Sequence, residues 1–278
     1  MLLVTGANGQ LGRELRLLLG DTAVYAGREV LDIGDEEAVK AFFEAQNFDF
    51  VINCAAYTAV DKAEDDFEAA DRINRLGPAL LARYGRRIVQ ISTDYVFDGT
   101  SCRPYKEDDA VNPLSVYGST KLAGEEAVLA EAETAVVVRT SWLYSSFGAN
   151  FVKTMRRLGA ERVSLGVVFD QVGTPTYAAD LAAALVAMLP QIERGMKDIW
   201  HCGNEGVASW YDLAVAVMEE RGLSCFVRPL ATGEYPARAV RPAFSVLDKA
   251  KMRRDFGLAI PHWRDGLKRC LRVLDGKE

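Results

Sequence analysis

The chain has 278 residues, 49% of them apolar and 26% charged, which suits a soluble globular protein of one large or two small domains. Its net charge of -6 offers no basic footprint for nucleic acid, and no apolar run approaches the roughly 20 residues a membrane-spanning helix needs. Five cysteines are scattered without a CxxC pair and the two histidines, His201 and His262, have no metal-ligand spacing, so a reduced cytoplasmic setting with free thiols is expected.

MLLVTG opens the chain as a short apolar run ending in glycine, better read as a buried strand than as a leader peptide. GQLGRELRLLLG follows as an amphipathic helix, TAVYAG as a strand, and DEEAVKAFFEAQ as a helix with an acidic first turn. DFVINCAA reads as a buried strand, and Asp61 to Tyr84 as a long helical stretch in which Pro78 marks a break or a new first turn. RRIVQIST, SVYGSTKLAGEEAVLAEA and TAVVVRTSWLY continue as strand, helix and strand. Strands apolar throughout and separated by helices imply a parallel sheet covered on both faces, a doubly wound α/β Rossmann fold over residues 1–150. Residues 151–278 hold a looser mixture, expected to form a smaller α/β substrate-binding domain with some segments returning to the first. In order they read as helix NFVKTMRRLGA, strand RVSLGVV, Gly/Pro turn DQVGTPTY and helix ADLAAALVAML. A strand near DIWHCG and helix WYDLAVAVMEERG precede the Pro/Arg-rich loop RPLATGEYPARAVRPAF, and two terminal helices follow.

Three stretches carry chemistry. In GANGQLG, Gly6 permits a tight turn, Gly9 lets the backbone approach a pyrophosphate and Gly12 lets helix and strand pack closely, with free N–H groups at the helix start for the phosphates. The second strand ends in Arg28, which suits a ribose 2′-phosphate and so favours NADPH, although a solvated Arg28 and use of NADH stay open; Asp32 lies close enough to meet the adenosine. In QISTDYVF, Ser92, Thr93 and Asp94 fall at a strand's carboxyl end, where a hydroxyl can stabilise charge developing on a carbonyl oxygen. In VYGSTK, Tyr117 and Lys121 are one helical turn apart, so the ammonium is expected to lower the phenol's pKa and fit it for proton transfer.

GxxGxxG, the strand-end Thr-Asp and YxxxK together resemble the extended short-chain dehydrogenase/reductases. CAAYTAVDKAE, STDYVFDG, NPLSVYGSTKLAGE, RTSWLY, NFVKTM, DQVGTPT and RPAFSVLD narrow the resemblance to the dTDP-4-dehydrorhamnose reductase family across almost the whole chain. That resemblance implies reduction of the C4 ketone of dTDP-4-dehydro-6-deoxy-L-mannose to dTDP-L-rhamnose with NADPH or NADH. It makes Tyr117 the proton donor, Lys121 the tuner of its pKa and a ligand of the nicotinamide ribose, and Thr93 the polariser of the ketone. Gly9, Gln10 and Leu11 would lie under the pyrophosphate, Asp32 and Ile33 by the adenosine, and Ala55, Ala56 and Tyr57 along the cofactor's middle. Thr58 would sit where cofactor and sugar meet, and Asp94 would contact the sugar. Trp142 matches a sugar-contacting tryptophan or is a core aromatic; Asn150 bonds a phosphate or caps its helix; Arg241, with Arg238 nearby, meets the diphosphate or is a solvated loop residue. Some family members bind Mg²⁺ at a dimer interface. Glu14 matches one such position, the other ligands are not identified, and either a monomer or a homodimer is expected without an assigned metal site.

Three rival functions share parts of this pattern. A 4,6-dehydratase needs an acid–base Asp-Glu pair after the threonine, where this chain has Asp94-Tyr95. An epimerase would keep its NAD through the cycle. A non-catalytic NADP-binding regulatory subunit would not require Thr93, Tyr117 and Lys121 together.

Overall fold

The computed structural model describes residues 1–276. Strand β1 (Leu2–Thr5), helix α1 (Gln10–Leu19), β2 (Ala23–Ala26), α2 (Glu36–Ala45) and β3 (Phe50–Asn53) come first. Short helices α3 (Val60–Ala63) and α4 (Phe67–Asp71) follow, and a π-turn at Arg72–Leu76 leads without interruption into α5 (Gly77–Gly85). Pro78 is the second residue of α5, directly after the π-turn that has already displaced the helical ladder its missing N–H would join. β4 (Arg87–Thr93), α6 (Val116–Glu131), β5 (Thr134–Thr140), β6 (Leu143–Tyr144) and α7 (Phe151–Glu161) complete the first half of the fold. The rest runs β7 (Ser164–Val168), β8 (Val172–Gly173), β9 (Thr176–Tyr177), α8 (Ala178–Met188), β10 (Lys197–His201), β11 (Ala208–Ser209), α9 (Trp210–Arg221), β12 (Phe226–Leu230), α10 (Ala250–Phe256) and α11 (Trp263–Leu274).

Six strands form one sheet in the order β10-β5-β4-β3-β1-β2, every pair parallel. Neighbouring side chains on each strand enter opposite cores, as a sheet buried on both faces requires. Val4, Ile52, Val89, Val136 and Val138 pack with Leu11 and Leu15 of α1 and Leu181 and Leu185 of α8. Leu3, Val51, Ile88 and Ala135 pack on the other side with Val39, Leu80, Leu81 and Val128. Each of these buried Val, Leu and Ile side chains contributes roughly 1.5–3 kcal/mol by leaving water. The order reverses between β1 and β3, so their connections leave in opposite directions and open a crevice at their carboxyl ends, the usual ligand position in such sheets.

A further core joins Val152 and Met155 of α7, Leu165 of β7, Leu213 and Val217 of α9, and Trp263 and Leu267 of α11. β10 and α8 return to the large sheet from the second half of the sequence, β10 beside β5 and α8 against α1. Two local expectations need correction. Arg228, Pro229 and Leu230 belong to β12, which pairs in parallel with β7, rather than to the following loop. Pro229 conceals the strand because proline donates no ladder bond and is tolerated only where that bond is dispensable. The run TAVVVRTSWLY is two strands, broken where Trp142 adopts φ 48°, a left-handed conformation that an extended ladder excludes.

Candidate active site

The first turn of the fold builds an anion cradle. Gly6 has φ 62°, and a Cβ there would lie 2.5 Å from the Ala55 nitrogen, so only glycine fits between β1 and the chain leaving β3. A Cβ at Gly12 would lie 2.6 Å from the Gly6 carbonyl oxygen and 2.7 Å from Ala7 Cα, so α1 rides directly on the turn. No side chain caps α1, which leaves the N–H groups of its first turn for a ligand. These features fit a dinucleotide's pyrophosphate.

Two adjoining clefts meet at this cradle. The larger, of about 550 Å³, is lined by Gly6, Gly9, Gln10, Leu11 and Gly12 at one end and by Thr93, Asp94, Tyr117, Lys121 and Trp142 at the other, with Ala55, Ala56 and Thr58 between. The smaller, of about 300 Å³, continues past Gly9 to Arg28, Asp32, Ile33 and Tyr57. Asp32 accepts from Arg72 Nη2 at 2.8 Å and from the Gly34 N–H at 3.0 Å, and lies 3.8 Å from Arg28 Nε. Despite partial burial, these partners hold its carboxyl below the usual range. Arg28 keeps 80% of its side chain exposed, so two arginines face one carboxylate at this end. Arg72 carries no local sequence signal, standing 40 positions from Asp32.

At the other end, β4 delivers Thr93 and Asp94 to the crevice. Thr93 Oγ1 accepts from the Tyr95 N–H at 3.2 Å and donates to Asp94 Oδ1 at 3.1 Å, closing a tight turn. Burial pushes the Asp94 carboxyl up to about 7, against the pull of the Ser245 and Thr93 hydroxyls. Ser115 caps α6 by accepting from the Gly118 N–H at 3.1 Å, and Glu64 accepts from the Val116 N–H at 2.8 Å. Both bonds fix the helix turn bearing Tyr117.

Burial raises the Tyr117 phenol to about 12, partly offset by a hydrogen bond with Thr93 and reinforced by Asp94. Lys121 is not among the groups that shift it in this structure. The ammonium donates instead to the Ile91 carbonyl at 2.6 Å, because a buried cation without a partner is costly and the strand end supplies one. Burial brings Lys121 itself down to about 8 despite the Glu125 carboxylate. At neutral pH the phenol is therefore fully protonated, which is the state a proton donor needs.

Trp142 is half-buried and lies parallel to Trp210, ring centres 3.6 Å apart. Gly173 makes room for its indole, since a Cβ there would fall 2.6 Å from Cε2. Both tryptophans line the larger cleft. Trp210 is far along the chain from every motif and gave no sign in the sequence; Tyr95, inside the STDYVFDG stretch but not singled out for the site, meets the Tyr117 ring edge-on at 5.5 Å. Ser92, Cys54 and Thr140 also line the cleft.

Four residues stand apart from that lining. Asn150 caps α7, accepting from the Lys153 N–H at 3.0 Å, and its amide donates to Gln10 Oε1 at 2.9 Å and to the Ser145 carbonyl at 2.7 Å. Arg241 is paired with Asp61 at 2.7 Å, while Arg238 pairs with Asp65. Glu14 is buried at the α1–α8 contact, accepts from Ser145 Oγ at 2.5 Å, and is pushed up by burial. No group of three His, Cys, Asp or Glu side chains among the described residues is arranged to hold a metal ion, and no described helix is long and apolar enough to cross a membrane.

Comparison with known proteins agrees with this geometry. The family described as the RmlD substrate binding domain matches residues 1–275. The dTDP-4-dehydrorhamnose reductase of Aggregatibacter actinomycetemcomitans is 40% identical, covering 96% of this chain and 97% of its own. The crystal structure of a dTDP-4-dehydrorhamnose reductase from Clostridium acetobutylicum superposes with a TM-score of 0.94 at 43% identity, covering 99% of both chains. That of the Bacillus anthracis enzyme, in complex with NADP, gives 0.93 at 36% identity over 98% of both. With a glycine cradle, a strand-end threonine and a protonated tyrosine in one groove, and these matches along nearly its full length, the chain belongs to the dTDP-4-dehydrorhamnose reductase family of oxidoreductases.

Proposed function

We propose that this protein reduces the C4 ketone of dTDP-4-dehydro-6-deoxy-L-mannose to dTDP-L-rhamnose, with NADPH preferred over NADH. The observation that carries the chemistry is the convergence of Thr93 and a protonated Tyr117 at the floor of the groove that begins at the glycine cradle. Bound there, the nicotinamide cofactor supplies a hydride to C4. Tyr117 gives its phenolic proton to the C4 oxygen as negative charge builds there, and the Thr93 hydroxyl, turned from Asp94, would donate to the same oxygen. Such a donor is typically worth about a hundredfold or more in rate. Lys121, held by the Ile91 carbonyl, places a positive charge at the groove floor beside the nicotinamide ribose position.

The cofactor preference rests on Arg28 and Arg72, whose guanidinium groups suit a 2′-phosphate. Gln10, Leu11, Ala55, Ala56 and Tyr57 would lie along its course, Ile33 by the adenosine, and Thr58 at the junction with the sugar. Asp94 and Trp142 face the sugar, and Arg241, released from Asp61, would turn to the diphosphate. Asn150 contributes through Gln10 and its helix cap. Residues 1–150 with β10 and α8 would hold the cofactor, and most of 151–278 the sugar nucleotide.

The test is oxidation of NADPH and of NADH, followed by absorbance, with freshly prepared 4-keto substrate, for wild type and Tyr117→Phe. Turnover that collapses in the variant while cofactor still binds is the expected result. Absence of turnover from folded wild-type protein that binds NADPH refutes the assignment for this sugar.

A further inference from the structure

Buried hydroxyls in native proteins almost always have a hydrogen-bond partner, so an exception needs an explanation. Among the described residues, the hydroxyls of Ser92, Thr140 and Thr176 are buried and have none, and of these Ser92 and Thr140 belong to the larger cleft. Their side chains belong to residues only 3% and 6% exposed, and both line the larger cleft. A third such atom, Asp94 Oδ2, lies in the same cleft. Ser141, next to Thr140, shows that the chain does satisfy a hydroxyl here where it needs to: its Oγ donates to the Thr174 carbonyl at 2.8 Å.

Strand register places the two orphans on either side of Thr93. In the β4–β5 ladder Thr93 is opposite Thr140, and Ser92 is opposite Arg139. Opposed residues in a parallel pair share a face, about 4.8 Å apart between strands. Thr140 therefore stands beside Thr93 on the same side of the sheet. Ser92 points to the other side, where Arg139 meets Glu125 of α6. Each hydroxyl offers one donor and two acceptor positions. Phosphate is served elsewhere, at the start of α1, so the complement of these hydroxyls is a neutral group that can both give and take a hydrogen bond.

We infer that Ser92 and Thr140 are ligand-binding residues, each completed by a neutral polar group of the bound reactants: a sugar hydroxyl or the carboxamide of the nicotinamide ring. This deepens the reductase function proposed above and rests on it.

Thr140→Val and Ser92→Ala remove the hydroxyls and nearly keep the shape. Two measurements are made on each: thermal unfolding without ligand, and titration with NADPH and with dTDP-L-rhamnose. A hydroxyl that serves only ligand leaves the unfolding midpoint unchanged or higher, and its loss weakens one ligand by about tenfold. Weaker NADPH assigns that hydroxyl to the carboxamide; weaker sugar nucleotide assigns it to the sugar. A lower midpoint with both affinities intact overturns the inference by making the hydroxyls part of the interior, and so does no change in either measurement. Wild-type protein that binds and turns over beside variants that bind equally well refutes this inference alone. Wild-type protein that neither binds the sugar nucleotide nor turns over refutes the proposed function itself.

Discussion

Glu125→Gln tests whether the floor of the groove depends on one buried ion pair. Glu125 of α6 and Arg139 of β5 are 1% and 2% exposed. Arg139 Nε lies 2.9 Å from Oε1, Nη2 lies 2.7 Å from Oε2, and the guanidinium sits 5.2 Å from the Phe97 ring centre. Removing one charge of such a pair strands the other and costs about 3–5 kcal/mol. Glutamine keeps an acceptor oxygen, so the low end, about 3 kcal/mol, is expected, which lowers the unfolding midpoint by roughly 6–12 °C for a chain of this size. The substitution also reaches catalysis. Burial lowers Lys121, and Glu125 is the foremost group holding it up to about 8. Without that carboxylate, Lys121 loses its proton at lower pH, and the basic limb of the kcat/KM profile moves the same way. Thermal unfolding by circular dichroism and a pH–rate profile check the two halves. A midpoint within about a degree of wild type would refute the assigned cost, and a stationary basic limb in a destabilised variant would refute the influence on Lys121.

Gly12→Ala drives a methyl group into the backbone of Gly6 and Ala7, so NADPH binding should be lost or weakened at least about tenfold, read by titration. Asn150→Ala removes the α7 cap and should cost about 1 kcal/mol in urea unfolding; its lost bond to Gln10 should also weaken NADPH, whereas a pure cap would leave affinity unchanged. Asp94→Asn alters acid stability in a stated direction. Asp94 is raised to about 7 when folded, so its contribution is present below the unfolded carboxyl value near 3.8 and lost as pH rises through 7. His201, held neutral by burial and lowered to about 3, acts oppositely, losing stability as pH falls from 6.5. Between pH 7 and 4 the variant should therefore lose stability more steeply than wild type, by about 1.4 kcal/mol per pH unit, measured by urea titration at each pH.

The first half of the fold was legible because its signals are local. Apolar strands, capped helices and a glycine turn each announce themselves within a few residues, and their alternation implies a parallel sheet covered on both faces, whereas the strand order came only from the structure. Gly6, Thr93 and Tyr117 were legible for the same reason, since strand ends and helix starts dictate where they stand. The direction of the Lys121 ammonium was not, because whether it meets a phenol or a carbonyl depends on side-chain rotamer, not on spacing. Arg72 and Trp210 were invisible because each gains its meaning from a partner distant in sequence, Asp32 and Trp142 respectively. β12 was hidden by Pro229, a residue that argues against a strand everywhere except along a short, tolerant edge.

The π-turn at Arg72–Leu76 amounts to one residue inserted into a helix, which rotates everything beyond it by about 100°. That rotation turns the buried Asn74 inward, where its Oδ1 accepts from the Tyr57 N–H at 2.8 Å and its Nδ2 donates to Thr120 Oγ1 at 3.1 Å. One amide thus rivets the cleft-lining loop at Tyr57 to the helix that carries Tyr117, with Thr120 next in sequence to Lys121. Gly124 lets the two helices touch backbone to backbone at the same joint. The spacing between the Tyr57 loop and the Tyr117 helix therefore hangs on one extra residue, and shortening the chain there by one would turn Asn74 away and unfasten the two.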